Sequence, residues 1–394
     1  MRIGMLLANH NFPPDIRVDK EADALAMGGH ESYVLCSRDK GQAAEEKVGS
    51  VTAIRHRVHP GHAWSRRLDS LTFLLTLDSP SWRRAVESLV REKGAGAVHV
   101  HDLPYIRSAV RAGRATGVPV VLDLHENYPA ALRLWKRRWI DRFFFPASRA
   151  ERLEKWALHS ADRIIVVVDE ARERLIGLGA EPDRVVVFGN AEPRALAGDT
   201  PLPLVEGELH LVYVGGVAQH RGLHVAVAAM PAILAVRPDA KLTIVGDGNT
   251  LVQLKAQAKS LGLGDSVSFP GWLSKDEAMT YVEQATIALV PHDRSPHTDA
   301  TVPHKLFQYM ALARPVLVSD CAPLARIVRE TECGDVFVSG DATDLAEKAL
   351  ALADYQRALA CGLAGRDAVL AKYNLEMESE VLVSLYNELA AAKG

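Results

Sequence analysis

Short apolar runs alternate with amphipathic stretches along most of this chain. The runs at residues 2–8 and 118–124 are rich in Val, Ile and Leu, which is typical of strands buried on both faces of a parallel sheet. Between such runs stand stretches with apolar residues at helical spacing, for example Val18, Ala22 and Leu25. This alternation predicts an α/β fold built on parallel sheets.

A length of 394 residues favours two domains over one. Residues 192–208 are rich in Pro, Gly and acidic residues, and a second series of apolar runs begins at Leu209. We therefore expect an N-terminal Rossmann-like domain over residues 1–195, a linker over 196–208 and a C-terminal Rossmann-like domain over 209–375.

Composition narrows the class of protein. Hydrophobic content is 48%, charged content is 24% and the net charge is −3, which is ordinary for a globular enzyme and favours no nucleic acid partner. The four cysteines are scattered without metal or redox spacing, which suits a reducing cytoplasm. There is no apolar run of about 18 residues, so no transmembrane helix is expected. With no cluster at metal-ligand spacing, we expect a metal-independent protein without a cofactor.

The stretch from His297 to Ser319 carries the clearest chemistry. It predicts a polar loop, a helix with Pro303 in its first turn, and a short buried strand. A helix start offers backbone N–H groups to a phosphate, and Lys305 in the first turn adds a full charge. Gln308 lies one turn later and suits a sugar hydroxyl. The alternative is a solvated surface lysine beside a polar edge residue.

A glycine turn follows the first apolar run of the second half. Gly215 and Gly216 precede a polar turn, and Arg221 is predicted to open a helix that runs to about Val236. Glycines let a backbone approach a ligand, and a cation at a helix start suits a phosphate. Gly246 follows the next run in the same way. Arg221 and Lys305 on two helices of one sheet favour a diphosphate ligand.

Two neighbouring runs of the first half end in a histidine beside an acidic residue. His101 and Asp102 end one run, and His125 with Glu126 ends the next. Ligands of parallel sheets bind at the carboxyl ends of strands, so both pairs point to one crevice. A lone histidine is more often structural, but two at equivalent positions favour a site. No glycine lies between residues 9 and 15, which argues against a nicotinamide-binding turn.

These segments resemble one known family. PHKLFQYMALARPVLVS is similar to the donor-binding helix of family-4 retaining glycosyltransferases, where sequences such as PNKLFEYMAAGKPV are common. PPDIRVDKEADALAMGGHESYVL and VVLDLHENYP resemble further segments, and the resemblance covers nearly the whole chain. It implies the GT-B architecture, in which two Rossmann-like domains face each other across a cleft. It also implies that a final helix, residues 376–394, packs back on the N-terminal domain.

The chain departs from the family at three positions. Many members carry two glutamates eight positions apart, where this chain has Ala300 and Gln308. Asp299 adjoins the first position and is a candidate replacement for that glutamate. Gly216 stands near the place of an arginine that is common after the first glycine. These departures bear on the catalytic arrangement more than on the family.

The resemblance assigns roles to individual residues. The candidate catalytic residues are His125, Asp299, Lys305 and Arg221. The candidate donor-binding residues are Gly215, Gly216, Arg221, Gly246, Trp272, Thr301, His304, Lys305, Gln308 and Asn190. The candidate acceptor-side residues are Arg17, His101 and Asp102. For Arg17, a salt bridge with a neighbouring carboxylate is an equally good interpretation.

Residues 131–160 combine eight basic residues, three acidic residues and several large aromatics. Such a mixture suits a membrane interface with anionic lipids, and residues 131–145 are the candidate contact. The same mixture could bind nucleic acid. A third interpretation is a helix that buries its aromatics and exposes its arginines.

The family resemblance predicts transfer of a sugar from a nucleotide-diphosphate sugar, with a UDP-sugar favoured, to a glycan or lipid-linked acceptor in polysaccharide biosynthesis. The reaction would retain the anomeric configuration and take place in the cytoplasm, at the inner face of the membrane if residues 131–145 bind lipid. Two alternatives stay open. One is a nucleotide-sugar epimerase of the same fold, and the other is a nucleotide-sugar binding protein with little catalysis.

Overall fold

Two sheets organise the described part of the chain, which comprises residues 1–8, 10–57, 63–134 and 145–392 of a computed structural model. Each sheet belongs to its own unit. The first unit contains residues 1–189 and 376–394, and the second contains residues 190–375. Residues 196–208, which composition marks as a linker, group with the second unit.

The first unit has an eight-stranded sheet in the order β3-β4-β2-β1-β5-β6-β7-β8. Only the β3–β4 pair is antiparallel among its described pairings. Its strands are β1 (Arg2–Leu7), β2 (Glu31–Ser37), β3 (Glu45–Val48), β4 (Val51–His56), β5 (Ala97–His101), β6 (Val120–Leu124), β7 (Arg163–Val166) and β8 (Val185–Val187). Every residue of β5 and β6 is buried, as expected of strands covered on both faces.

Helices cover this sheet and connect its strands. They are α1 (Ile16–Met27), α2 (Ala63–Thr76), α3 (Pro80–Lys93), α4 (Ile106–Thr116), α5 (Tyr128–Leu134), α6 (Ala147–Leu158) and α7 (Asp169–Gly177). Asp15 caps α1 by accepting hydrogen bonds from the N–H groups of Arg17 and Val18, at 3.0 and 3.1 Å. This cap sets the start of α1.

The second unit has a parallel six-stranded sheet in the order β11-β10-β9-β12-β13-β14. Its strands are β9 (His210–Val214), β10 (Lys241–Val245), β11 (Val267–Gly271), β12 (Ile287–Val290), β13 (Val316–Ser319) and β14 (Gly334–Phe337). The strand order reverses between β9 and β12. A crevice at the carboxyl ends of such a strand pair is where parallel sheets place ligands.

The helices of the second unit are α8 (Leu223–Val236), α9 (Leu251–Ser260), α10 (Lys275–Glu283), α11 (His304–Ala311), α12 (Ala322–Thr331), α13 (Ala342–Leu352) and α14 (Tyr355–Ala371). A last helix, α15 (Leu375–Ala391), lies in the first unit apart from its first residue. There the hydroxyl of Tyr386 lies 2.8 Å from Nδ1 of His99 in β5.

The structure corrects two predicted helix starts. Arg221 does not open α8, because Gln219–Arg221 form a 3-10 turn and Gly222 takes a left-handed conformation before the helix begins. Pro303 is not in the first turn of α11. It precedes the helix with an extended backbone, at φ −80° and ψ 146°.

The predicted membrane contact at residues 131–145 falls mostly on positions 135–144, which lie outside the described residues. Among the residues that the structure does describe, no helix has the length and apolar character needed to cross a bilayer.

Gly222 tests how the glycine turn is built. A Cβ at this position would lie 1.7 Å from the carbonyl oxygen of Pro291, and its φ is +64°. We expect Gly222→Ala to lower the free energy of unfolding by more than about 3 kcal/mol, measured by urea denaturation, because strain and a clash with backbone add together.

Gly262→Ala is the matched control. Its φ is +67° with nothing within 4 Å, so about 1 kcal/mol should be lost. Equal losses for the two variants would contradict the role of close approach.

Candidate functional site

A buried ion pair lies at the carboxyl edge of the first sheet. Arg17 donates from Nε and Nη2 to the two carboxylate oxygens of Asp123, at 2.9 and 2.8 Å. It also donates to the carbonyl oxygens of Phe188 and Gly189. Burial opposes the charge of Arg17, but Asp123 and Glu21 outweigh it and raise its pKa. Of the two interpretations of Arg17, the ion pair is the one that the structure contains.

His125 is held between two carboxylates. Its Nε2 lies 2.7 Å from Oδ2 of Asp123, and its Nδ1 lies 3.6 Å from Oδ2 of Asp102. Burial lowers the pKa of His125, but the charges of Asp102 and Asp123 together raise it to about 10. The ring is therefore an imidazolium at neutral pH, which can donate a hydrogen bond or stabilise negative charge but cannot accept a proton.

Glu21, His99 and His101 lie buried beside this pair. His101 Nδ1 is 3.2 Å from Nε2 of His125, so the two predicted strand-end histidines do meet. Burial and the neighbouring His99 lower the pKa of His101 to about 4, and burial together with Asp123 raises the pKa of Glu21. His101 is thus neutral at neutral pH.

Glu21, His99, His101 and Asp123 present potential metal-ligand atoms within 4.8 Å of one another. Arg17 already forms ion pairs with the two carboxylates of this group. Its Nε lies 3.0 Å from Oε1 of Glu21, and its Nη2 contacts Asp123. A divalent cation would have to share these carboxylates with a guanidinium. The arrangement therefore fits an internal ion-pair network better than a resident metal ion.

In the second unit, Lys305 is buried rather than solvated, with 9% of its surface exposed. Its Nζ lies 3.5 Å from the ring centroid of Tyr213, and it has no hydrogen-bond acceptor in the described part of the chain. Burial and the charge of Arg221 hold the pKa of Lys305 well below its usual range. A Cβ on Gly215 would lie 2.7 Å from Nζ, so the glycine makes room for this ammonium group.

Arg221 lies among three histidines. Its Nη1 is 3.0 Å from Nε2 of His292, and the ring of His220 stands edge-on to His292 and His297, at centroid distances of 6.5 and 5.8 Å. Burial and the charge of Arg221 lower the pKa of His220 and of His297 to about 4, and lower that of His292 as well. We call these five residues the cation cluster: Lys305, Arg221, His220, His292 and His297.

The cation cluster is not neutralised from within. Neither Lys305 nor Arg221 forms an ion pair with a carboxylate among the residues that the structure describes. The cluster stands at the end of β9 and β12, the strand pair at which the order of the sheet reverses. An anion of high charge density, such as a diphosphate, is the ligand that this arrangement suits.

Other predicted donor residues take part in local structure. Asp299 accepts a hydrogen bond from the N–H of Ala322 at 2.8 Å and so caps α12, while its other oxygen lies 3.3 Å from Nε of Arg294. Gln308 donates to Oε1 of Glu192 at 2.9 Å. These contacts orient both side chains. Gln308, for which the sequence predicts a sugar hydroxyl as partner, is held by Glu192.

The remaining predicted residues lie around α11 and along the same sheet. His304 Nδ1 is 3.0 Å from the carbonyl oxygen of Asn190, whose amide donates to the carbonyl of Val302 at 2.7 Å. Thr301 is half-buried just before α11, and Trp272 is largely exposed after β11. Gly246 follows β10 at φ +139°, while Gly216 accepts a hydrogen bond on its carbonyl from the hydroxyl of Tyr213.

Sequence reasoning missed several residues at these sites: Asp123, His220, His292, His297 and Glu192. His292 could have been found, because it follows β12 at the carboxyl end of a predicted strand. His220 directly precedes Arg221. Asp123 gave no signal, since an acidic residue inside an apolar run carries no marker of what it faces.

Two α/β units, each built on a largely parallel sheet, define the class of fold as GT-B. Solved structures of this class match the chain over nearly its whole length. Sucrose-phosphate synthase from Thermosynechococcus elongatus is 20% identical, covers 99% of both chains and has a TM-score of 0.79. The Anabaena protein HepE in complex with UDP is 13% identical, covers 98% of this chain and 100% of its own, and has a TM-score of 0.72.

Sequence profiles identify the family. "Glycosyl transferase 4-like domain" matches residues 15–191, and "Glycosyl transferases group 1" matches residues 199–366. Glycogen synthase of Mycobacterium tuberculosis is 24% identical over 367 residues, which cover 88% of this chain and 84% of that protein. The chain belongs to the family-4 type of GT-B glycosyltransferases, as the motifs around Lys305 and His125 predicted.

The charge of His125 gives a pH-dependent prediction. A histidine whose pKa is raised on folding stabilises the protein below its unfolded pKa, and this contribution is lost as pH rises to the folded pKa. We expect the His125 ring to titrate near pH 10 by NMR, and the free energy of unfolding to fall between about pH 6.5 and pH 10. Asp123→Asn should move the titration towards 6.5.

Asp102→Asn should also lower the pKa of His125, because the charge of Asp102 is one of the two that raise it. A wild-type His125 that titrates near 6.5 would contradict this account without any variant having to fold.

Proposed function

We propose that this chain is a retaining, metal-independent hexosyltransferase that takes its sugar from a nucleotide-diphosphate sugar. The observation that carries this proposal is the buried ammonium group of Lys305, which has no hydrogen-bond acceptor and stands beside the Gly215 turn and Arg221. Burial and the charge of Arg221 disfavour the charged form of this group in the empty site, and a diphosphate would supply the counter-ion that favours it.

In this proposal the cation cluster stabilises the charge that builds up on the departing diphosphate. Breaking the bond between sugar and diphosphate moves negative charge onto the phosphate oxygens, so groups placed there beforehand lower the barrier. Arg221 and Lys305 carry this role. The neighbouring histidines are neutral in the empty site, so they can take up protons as the charge develops.

His125 is proposed to act on the sugar of the donor, as the family resemblance implies. As an imidazolium fixed by Asp123, it would donate a hydrogen bond to the sugar or stabilise negative charge near it. Asp299 is proposed to contact sugar hydroxyls and Gln308 the ribose, the latter oriented by Glu192. Without a charged glutamate at either family position, His125 and the cation cluster would carry most of the electrostatic stabilisation.

A UDP-sugar is the favoured donor. The support is that HepE, a protein of the same fold, has been solved with UDP. The acceptor is proposed to be a glycan or a lipid-linked oligosaccharide in polysaccharide biosynthesis, with the reaction in the cytoplasm. Membrane contact through residues 131–145 stays a prediction, because those residues lie largely outside the described part of the chain.

A thermal-shift panel of UDP, GDP, ADP and their sugars tests the donor site. A ligand that binds the folded state raises the melting temperature by mass action. We expect one nucleotide to raise it, with UDP favoured, and Lys305→Ala to abolish the shift. Lys259→Ala, an exposed cation on α9, is the matched control and should keep the shift.

No shift with any nucleotide would overturn the proposed function. Binding followed by neither release of nucleoside diphosphate nor transfer, with a range of glycan acceptors supplied, would instead favour the binding-protein alternative. Nucleotide release that EDTA abolishes would contradict metal independence.

Proton uptake gives a second test of the cation cluster. A diphosphate raises the depressed pKa of Lys305, so binding should take up protons at any pH between the free and bound values. At about pH 8 the terminal phosphate of the nucleotide is already ionised, so its own titration adds little to the measured proton uptake. Calorimetry in buffers of different ionisation enthalpy should show net uptake for the wild type and less for Lys305→Met. Binding heats that do not depend on the buffer would contradict the expected change in charge.

A further inference from the structure

Helix α2 exposes an apolar stripe. Trp64, Leu68, Leu71 and Leu75 are exposed by 67%, 56%, 52% and 70%. Their spacing of four, three and four residues places all of them on one face of the helix, over roughly 16 Å of its length. Scattered exposed leucines are ordinary, but a continuous stripe of large apolar side chains marks an interaction surface.

The opposite face of α2 anchors the helix to its unit. The ring of Phe73 stacks on Tyr105 at a centroid distance of 4.8 Å. Asp69 is buried and accepts hydrogen bonds from the hydroxyl of Ser79 at 2.7 Å and from the N–H of Ser81 at 2.8 Å. Rotating the helix to bury the stripe would expose Phe73 and break the contacts of Asp69. The outward orientation of the stripe is therefore fixed by packing.

Positive charge adjoins the stripe. Arg67 is exposed on α2 itself, about 60° around the helix from the stripe residues. At the other end, Arg107 donates to the carbonyl oxygen of Thr76 at 3.1 Å, which places its guanidinium at the end of α2. Partial burial lowers the pKa of Arg149, and the nearby positive charges of Arg107 and Arg152 lower it further.

These observations distinguish between possible partners. The four stripe side chains expose roughly 500 Å², which is less than the about 800 Å² per partner of a typical stable protein interface. A second copy of the chain would also place like charges at both ends of the contact. A bilayer needs no matching partner surface, and anionic headgroups complement the arginines.

We propose that α2 docks this protein on an anionic lipid surface. Trp64, Leu68, Leu71 and Leu75 enter the boundary between headgroups and acyl chains, while Arg67, Arg107 and Arg152 meet lipid phosphates. In this proposal the helix lies in the plane of the interface. This proposal rests on residues of α2 and not on residues 131–145, and it does not depend on the proposed donor.

Co-sedimentation with vesicles tests the proposal. One set contains phosphatidylcholine alone, and the other also contains phosphatidylglycerol. We expect the wild type to bind the anionic vesicles at low salt and to dissociate as salt screens the arginines. The double variant Leu71→Gln/Leu75→Gln should lower the partition coefficient by at least about tenfold, because two leucines no longer enter the bilayer.

Val236→Gln/Val252→Gln is the matched control, since both valines are exposed on helices of the second unit, by 63% and 77%. This variant should bind as the wild type does. Arg152→Gln should weaken binding to anionic vesicles only, whereas Lys259→Gln should not. Melting temperatures of all variants, compared with that of the wild type, show that the stripe variants are folded.

Three results would overturn the proposal. The first is no binding to anionic vesicles at low salt, and the second is equal binding by the stripe variant and its control. The third is a wild-type dimer in size-exclusion chromatography that Leu71→Gln/Leu75→Gln converts to a monomer without any vesicle binding, which would assign the stripe to a second copy.

Discussion

The ion pair between Arg17 and Asp123 is the interaction on which the first unit depends. Both side chains are buried, so each charge is tolerated only because the other is present. The pair joins α1 to β6 and, through the carbonyls of Phe188 and Gly189, to the end of β8. Asp123 in turn holds His125. One buried contact therefore sets both the geometry of the strand ends and the charge of the histidine presented there.

The second unit has the opposite arrangement of charge at its strand ends. Its sheet is also parallel, yet neither Lys305 nor Arg221 pairs with the carboxylate of any residue that the structure describes. The three histidines beside them are neutral. The first unit neutralises its charges internally, while the second leaves positive charge for a ligand to neutralise.

Sequence reasoning located the sites better than it described them. The ends of β5 and β6 and the helix after β12 were predicted, since apolar runs followed by polar residues mark strand ends. The contacts and burial of the side chains at these sites were not predicted. Lys305 was expected to be in the first turn of α11, but nothing local showed that the ring of Tyr213 would lie under its ammonium group. Arg221 was assigned to the start of α8, because spacing does not show that Gly222 must approach the carbonyl of Pro291.

Hydrophobic periodicity and short motifs are local properties, so they were sufficient to predict the class of fold, the family and the segments that carry the chemistry. They do not show which polar groups are paired. Arg17 and Asp123 are 106 positions apart, and Gln308 and Glu192 are 116 apart. Burial and partners at such separations set the pKa of a side chain and the face that a helix such as α2 exposes. Such burial and such distant partners arise from packing across strands, which the local sequence pattern does not encode.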